Sequence, residues 1–176
     1  MSDFCVSYSQ FGYYSVDLTG LSLGDSLFVP MKFDTGSPYT LISVQSLYSN
    51  VSIKGVDLLR DRFSELGIQP LGYVRSATGH PIEAYPLIIS NVYLNDELFI
   101  SKFPFYLVLN VGRPLALLGD DFVSCCSFSH EINSDIVISR YENELSLIKF
   151  KSGIQVCEVD GVFVNEFNSM LDELCL

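Results

Sequence analysis

The chain has no tryptophan and little positive charge: ten Lys and Arg residues stand against 21 Asp and Glu residues, giving a net charge of −11 at pH 7. No basic run or stripe occurs along the 176 residues. Binding to phosphate groups needs such a basic surface, so we expect no nucleic-acid partner. An acidic balance of this kind is also typical of an ordinary soluble surface.

Long hydrophobic runs are absent as well. The longest apolar stretches, such as 103–109, are far too short to cross a bilayer, and Pro104 interrupts that one. The first residues, 1–4, lack the basic region and apolar core of a secretory signal. We therefore expect no membrane partner.

Cysteines are few, and their pattern is uninformative for a disulfide framework. The count is odd, and Cys125 is adjacent to Cys126, an arrangement that rarely cross-links a fold. Reduced thiols in a cytoplasmic protein are the simplest interpretation. No Cys-x-x-Cys pair or His-rich cluster occurs, so the sequence predicts no metal site and no cofactor.

The composition that remains is that of a globular domain with a sizeable core, since 48% of residues are hydrophobic and 18% are charged. Strand-like runs alternate with turn signals, which predicts a mostly β fold with two or three short helices. Strands are predicted at 27–33 and 39–43. The best helix is 56–66, followed by Gly67 as its stop signal.

The C-terminal third predicts less regular organisation. Segments 135–140 and 144–150 read as the two strands of a hairpin, and 163–174 as an amphipathic helix. We expect one domain over residues 1–152 and a C-terminal extension over 153–176.

Three short elements carry the chemical information. Asp34-Thr35-Gly36-Ser37 lies between two predicted strands. A second element, Ala77-Thr78-Gly79 followed by His80, is the small tip of a predicted hairpin. The third is the apolar run Leu117-Leu118-Gly119, which is followed by two aspartates.

In this order and approximate spacing, the three elements resemble the retropepsin-like family of single-lobed aspartic peptidases, over about residues 27–127. The resemblance implies a retropepsin-like acid protease fold with a flap hairpin, and Gly-x-Asp followed by an apolar residue is similar to the retroelement and cellular branch. Asp34, Thr35 and Gly36 would be catalytic. Ser37, Ala77, Thr78 and Gly79 would contact a polypeptide substrate.

The chemistry implied by the resemblance needs two carboxylates that share one proton, one as base toward a water and one as acid toward the scissile carbonyl. Only one Asp-Thr-Gly is present. The second Asp34 would therefore come from another copy, which predicts a homodimer.

Other interpretations remain open at this point. The chain could be a catalytically silent retropepsin-fold binding or assembly module, or a peptidase whose tail docks a partner or blocks the cleft. A Cys-His site through Cys125 or Cys126 is the least favoured, because nothing brings a histidine near either. Asp120 and Asp121 are interpreted as helix N-terminal residues, replaceable by Asn with less than about a tenfold loss of activity.

Overall fold

The structure, a computed structural model, describes residues 3–8, 14–20, 27–34, 36–47, 51–71, 75, 79–94, 97–109, 114–124, 126–130, 136–140 and 157–159. Within these ranges the chain is mostly β, as predicted. The strands are β1 (Asp3–Tyr8), β2 (Tyr14–Gly20), β3 (Leu27–Phe33), β4 (Leu41–Ser43), β5 (Ala84–Leu94), β6 (Glu97–Val108), β7 (Ala116–Leu118), β8 (Cys126–His130), β9 (Ile136–Arg140) and β10 (Cys157–Val159). The helices are α1 (Val44–Leu47), α2 (Ile53–Glu65) and α3 (Asp120–Val123).

The described strands form one sheet in the order β10-β5-β6-β4-β7-β3-β2-β1-β9-β8. An additional pairing of β2 with β5 closes six of them into a ring. The largest fully buried side chains of the core include Phe63 of α2, Phe103 and Phe105 of β6, and Phe122 of α3. The short strand β7 is parallel to β3 and antiparallel to β4, so it lies between the two strands that flank the Asp-Thr-Gly turn.

Strands β5 and β6 are longer than the sequence pattern predicts. The sequence pattern predicts shorter strand-like segments here, at 81–89, 91–94, 98–100 and 104–110. Instead, Pro86 pairs with Tyr106 and Pro104 with Ile88 inside one antiparallel ladder. The proline ring fixes a φ close to that of extended backbone, so each proline removes one donor and leaves the strand direction intact.

Helix α2 begins three residues earlier than the predicted 56–66, because Ser52 caps it. The Ser52 hydroxyl accepts a hydrogen bond from the Gly55 N–H at 3.2 Å. At the other end, Gly67 adopts a φ of +74°, the left-handed conformation that ends a helix. The predicted stop residue is confirmed.

The predicted C-terminal hairpin is described only in its first strand. Strand β9 matches the expected segment 135–140, but β8 lies along one of its edges and β1 along the other. The other predicted strand of the hairpin, 144–150, lies outside the described residues. Within 153–176, β10 pairs in parallel with β5. The helix expected at 163–174 lies outside the described residues, and the division at 152 stays a prediction.

Candidate active site

Asp34 begins the turn between β3 and β4, and the apolar run of β7 lies directly against it. Leu118 pairs with Phe33, and its carbonyl accepts a hydrogen bond from the Asp34 N–H at 3.0 Å. The parallel ladder of β3 and β7 therefore continues one residue into the turn. The apolar run of β7 therefore lies against the start of the Asp34 turn.

Inside the turn, the half-buried Asp34 accepts two hydrogen bonds. The Gly36 N–H donates to Asp34 Oδ1 at 3.0 Å, and the Ser37 N–H donates to the Asp34 carbonyl at 3.2 Å. The Ser37 hydroxyl donates to the Tyr39 carbonyl at 2.7 Å, rather than to a carboxylate. Thr35 lies outside the described residues, so its predicted role stays a prediction.

Gly119 is required by space. A Cβ at this position would lie 2.2 Å from the Tyr39 carbonyl oxygen and 2.9 Å from that of Ser37. Just beyond it, the Asp120 N–H donates to the Ser37 carbonyl at 2.8 Å. The backbone after β7 thus touches the second half of the turn, an approach that a side chain at 119 would prevent.

Thr40 and Asp121 form the part of the site that sequence reasoning missed. Thr40 is fully buried at the end of the turn, and its N–H and hydroxyl donate to the two carboxylate oxygens of Asp121 at 3.0 and 2.7 Å. The same hydroxyl accepts from the Gly119 N–H at 3.1 Å. Two features of the sequence could have indicated this contact. Thr40 is a polar residue directly before the apolar strand β4, and Asp121 is an acidic residue shortly after Gly119.

An apolar surface adjoins the turn. The Tyr39 ring meets Tyr106 edge-on, with centroids 5.4 Å apart. Burial, together with Tyr39 and the charge of Asp121, raises the pKa of Tyr106 to about 12. Four half-buried residues pack on the buried cluster that contains Tyr106: Tyr39, Leu71, Leu115 and Leu117.

The arms of the predicted flap hairpin are described in part. Leu71 lies opposite Ala84, and Arg75 lies opposite Pro81, in antiparallel bridges. Gly79 has a φ of +85°, and its carbonyl accepts from Arg75 Nη1 at 3.0 Å. The other predicted substrate contacts at the tip, residues 77 and 78, lie outside the described residues, and a flap role stays a prediction.

Helix α2 contacts the base of this hairpin through an ion pair. Arg60 Nε donates to both carboxylate oxygens of Glu83, at 3.0 and 2.8 Å, and Nη2 donates to Oε1 at 2.8 Å. The Tyr85 hydroxyl donates to the same carboxylate at 3.4 Å. The hydrogen bonds to Glu83 raise the pKa of Arg60 above its already high value.

The described ranges contain no group of three or more His, Cys, Asp or Glu residues arranged to hold a metal ion. In the same part of the chain, none of the helices combines the length and the apolar character needed to cross a membrane.

The ring of strands, the turn after β3 and the glycine after β7 together define a retropepsin-like acid protease fold. Among solved structures, the chain is similar to a retropepsin-like aspartic protease from Rickettsia conorii, with a TM-score of 0.51 and 12% identity. The match covers 79% of this chain and 91% of that one. No protein-family model and no curated protein matches the sequence. At this identity the likeness is one of fold, and it confirms the predicted fold class.

Proposed function

We propose that the protein is an aspartic endopeptidase that hydrolyses peptide bonds with Asp34 as its catalytic residue. The observation that carries the proposal is the construction of the turn. Asp34 opens it, β7 anchors its backbone through Leu118, and Gly119 approaches its second half. A turn built only to connect β3 and β4 has no need of a third strand inserted between them.

The proposed reaction is the addition of water to the scissile carbonyl. One carboxylate takes a proton from the water while a second, protonated carboxylate donates a hydrogen bond to the carbonyl oxygen. Proton transfer to the leaving amine then completes hydrolysis. Two carboxylates that lie close enough to share a proton cannot both ionise. The pair therefore holds one proton and titrates as a unit.

The second carboxylate in this proposal is Asp34 of another copy of the chain. Among the described residues, no hydrogen bond of the turn connects Asp34 with a second aspartate. A two-fold axis beside the turn would bring equivalent carboxylates together, which is the usual symmetry of a homodimer.

The proposed substrate is an extended polypeptide, bound by main-chain hydrogen bonds as an added strand. Ser37 and Gly79 are its proposed contacts among the described residues, and Thr35 is the proposed support of the carboxylate pair. The pattern of Gly119, Asp120 and Asp121 followed by an apolar residue favours the retroelement and cellular branch. A cytoplasmic location fits the odd number of cysteines and their lack of a spaced framework.

Cleavage of a random peptide library between about pH 3 and pH 8 tests the proposal. We expect hydrolysis by the unaltered protein and none above background by Asp34→Asn, which cannot supply the shared proton. Asp120→Asn is the matched control, because Asp120 is exposed and its hydrogen bond to the turn is made by its backbone N–H, which the substitution keeps. Full activity of Asp34→Asn would overturn the proposal. Peptide binding without cleavage by either protein would favour the silent binding module.

A further inference from the structure

We infer that Asp121 is a positioning residue for the catalytic turn and that it acts through Thr40. The inference rests on the proposed function. It also revises the sequence-based expectation that Asp121, like Asp120, merely favours a helix N-terminus. The two aspartates are neighbours in the same short helix, yet their surroundings differ: Asp120 is exposed, whereas Asp121 is half-buried against the turn.

The turn is fixed to four consecutive residues, 118–121, which begin with the last residue of β7. Its start is held by the carbonyl of Leu118, which accepts from Asp34, and its middle by the N–H of Asp120, which donates to Ser37. Its end, Thr40, is held by Asp121. Of these contacts, the last is the one made by a side chain, so it is the one that a substitution can remove.

Thr40 is the point where the turn becomes strand β4. It is fully buried, so its N–H and hydroxyl have no water as a substitute partner. The Asp121 carboxylate accepts from both, and the Thr40 hydroxyl in turn accepts from the Gly119 N–H. The chain of bonds therefore joins the end of the turn to the glycine that touches its middle.

An asparagine at 121 cannot reproduce these bonds. Asp121 Oδ2 faces the Thr40 N–H, and Oδ1 faces both the Thr40 hydroxyl and the N–H of Phe122, at 2.8 Å. Whichever oxygen is replaced by an NH₂ group, that group meets a backbone N–H, and two donors face each other. The site requires a group that only accepts.

The consequence for catalysis is geometric. Two Asp34 carboxylates must lie close enough to share a proton, and a displacement of about 1 Å at a reacting group lowers turnover by about a hundredfold. Loosening Thr40 frees the far end of the turn while its start stays bonded to β7. We expect the carboxylate to lose its position more readily than the substrate surface loses its affinity.

The test compares Asp121→Asn with Asp120→Asn by steady-state kinetics and by amide hydrogen exchange. We expect kcat of Asp121→Asn to fall by about 10-fold to 100-fold with KM nearly unchanged, and Asp120→Asn to retain its activity. Thr40→Val, which removes the hydroxyl at constant shape, should match Asp121→Asn. Thr40→Ser, which keeps the hydroxyl, should restore most of the turnover.

If the unaltered protein hydrolyses no peptide, the proposed function is contradicted, but the positioning role of Asp121 is not. Hydrogen exchange tests that role without any activity. In Asp121→Asn we expect the amides of Thr40 and Gly119, whose bonds depend on this contact, to exchange at least about tenfold faster, with Leu107 in β6 unchanged. Equal exchange in the two Asn variants, or equal turnover in an active enzyme, would overturn the positioning role. Faster exchange at Leu107 as well would indicate general destabilisation and also count against it.

Discussion

The Asp34 turn and helix α2 are held in place by different kinds of interaction. The turn is fixed by directional hydrogen bonds among backbone groups, Thr40 and Asp121. The helix buries Leu59 and Phe63 and stacks the latter on Tyr85, with ring centroids 4.6 Å apart. Burial of apolar area stabilises the fold without requiring exact geometry. Backbone hydrogen bonds require exact geometry, and each adds only a modest net stability. Changes in the turn should therefore affect activity first, and changes in the helix should affect stability first.

The largest effect is expected from Gly119→Ala. The added Cβ would overlap the Tyr39 carbonyl at 2.2 Å, so the backbone on one side must move. We expect kcat/KM, measured on the folded fraction, to fall by more than about a hundredfold. Ser124→Ala, an exposed change just after α3, is the control and should be neutral. Turnover of Gly119→Ala equal to that of the control would show that the turn tolerates displacement.

Phe63→Ala should lower the stability of the protein and leave its activity nearly unchanged. Phe63 is fully buried between α2 and β5, and its removal leaves a cavity that the helix cannot easily fill. We expect the free energy of unfolding to drop by about 3–5 kcal/mol, while activity per folded molecule stays within about twofold. Urea unfolding measures the first quantity and active-site titration the second, with exposed Ser64→Ala as the control. A specific loss of turnover without loss of stability would contradict the division between the two regions.

Glu83→Gln tests whether a directional contact of helix α2 also affects stability rather than activity, because it weakens the ion pair of Glu83 with Arg60. The carboxylate binds Arg60 through three hydrogen bonds and is only 22% exposed. We expect a loss of about 1–2 kcal/mol of stability in thermal or urea unfolding. Glu65→Gln is the matched control, since its ion pair with Arg62 is more exposed, and it should cost less than about 0.5 kcal/mol. Equal losses in the two variants would mean that the ion pair at the base of the hairpin stabilises the protein no more than the exposed pair does.

The smallest effect is expected from Ser52→Ala at the start of α2. The hydroxyl satisfies the Gly55 N–H, one of the donors that a helix leaves unpaired at its N-terminus. Its loss should cost about 1 kcal/mol of stability and leave turnover unchanged. Ser52→Asp, which retains a capping oxygen, should keep most of the stability. An equal loss in Ser52→Asp would argue against capping as the cause.

The sequence predicts those parts of the fold whose causes are local. Strand β3 was predicted at its observed bounds, and Gly67 was identified as the end of α2, because alternation of apolar residues and a left-handed glycine are read from neighbours. The pairing of β9 with β1 and β8 was missed, since nothing local in the sequence marks those strands as its partners. Thr40 and Asp121 were missed for the same reason. They are 81 residues apart, and each is ordinary in its own segment.

The position of Asp34, Gly36 and Ser37 in one turn could be predicted, because a strand precedes them and another follows. What could not be predicted is the direction of the Ser37 hydroxyl, which bonds the Tyr39 carbonyl two residues on. Such short side-chain to backbone bonds compete with longer ones, and their outcome depends on the backbone geometry that the tertiary contacts impose.

Co-refolding the unaltered protein with Asp34→Asn tests most directly the claim that two copies of Asp34 form one catalytic centre. The two proteins would be mixed in denaturant at constant total concentration, refolded together and assayed on one cleaved peptide. If a mixed dimer is inactive, an equal mixture has about one quarter of the activity of the unaltered protein alone, and activity follows the square of its fraction. About one half, with activity proportional to the fraction, would contradict the account, because each chain would then cleave with its own residues.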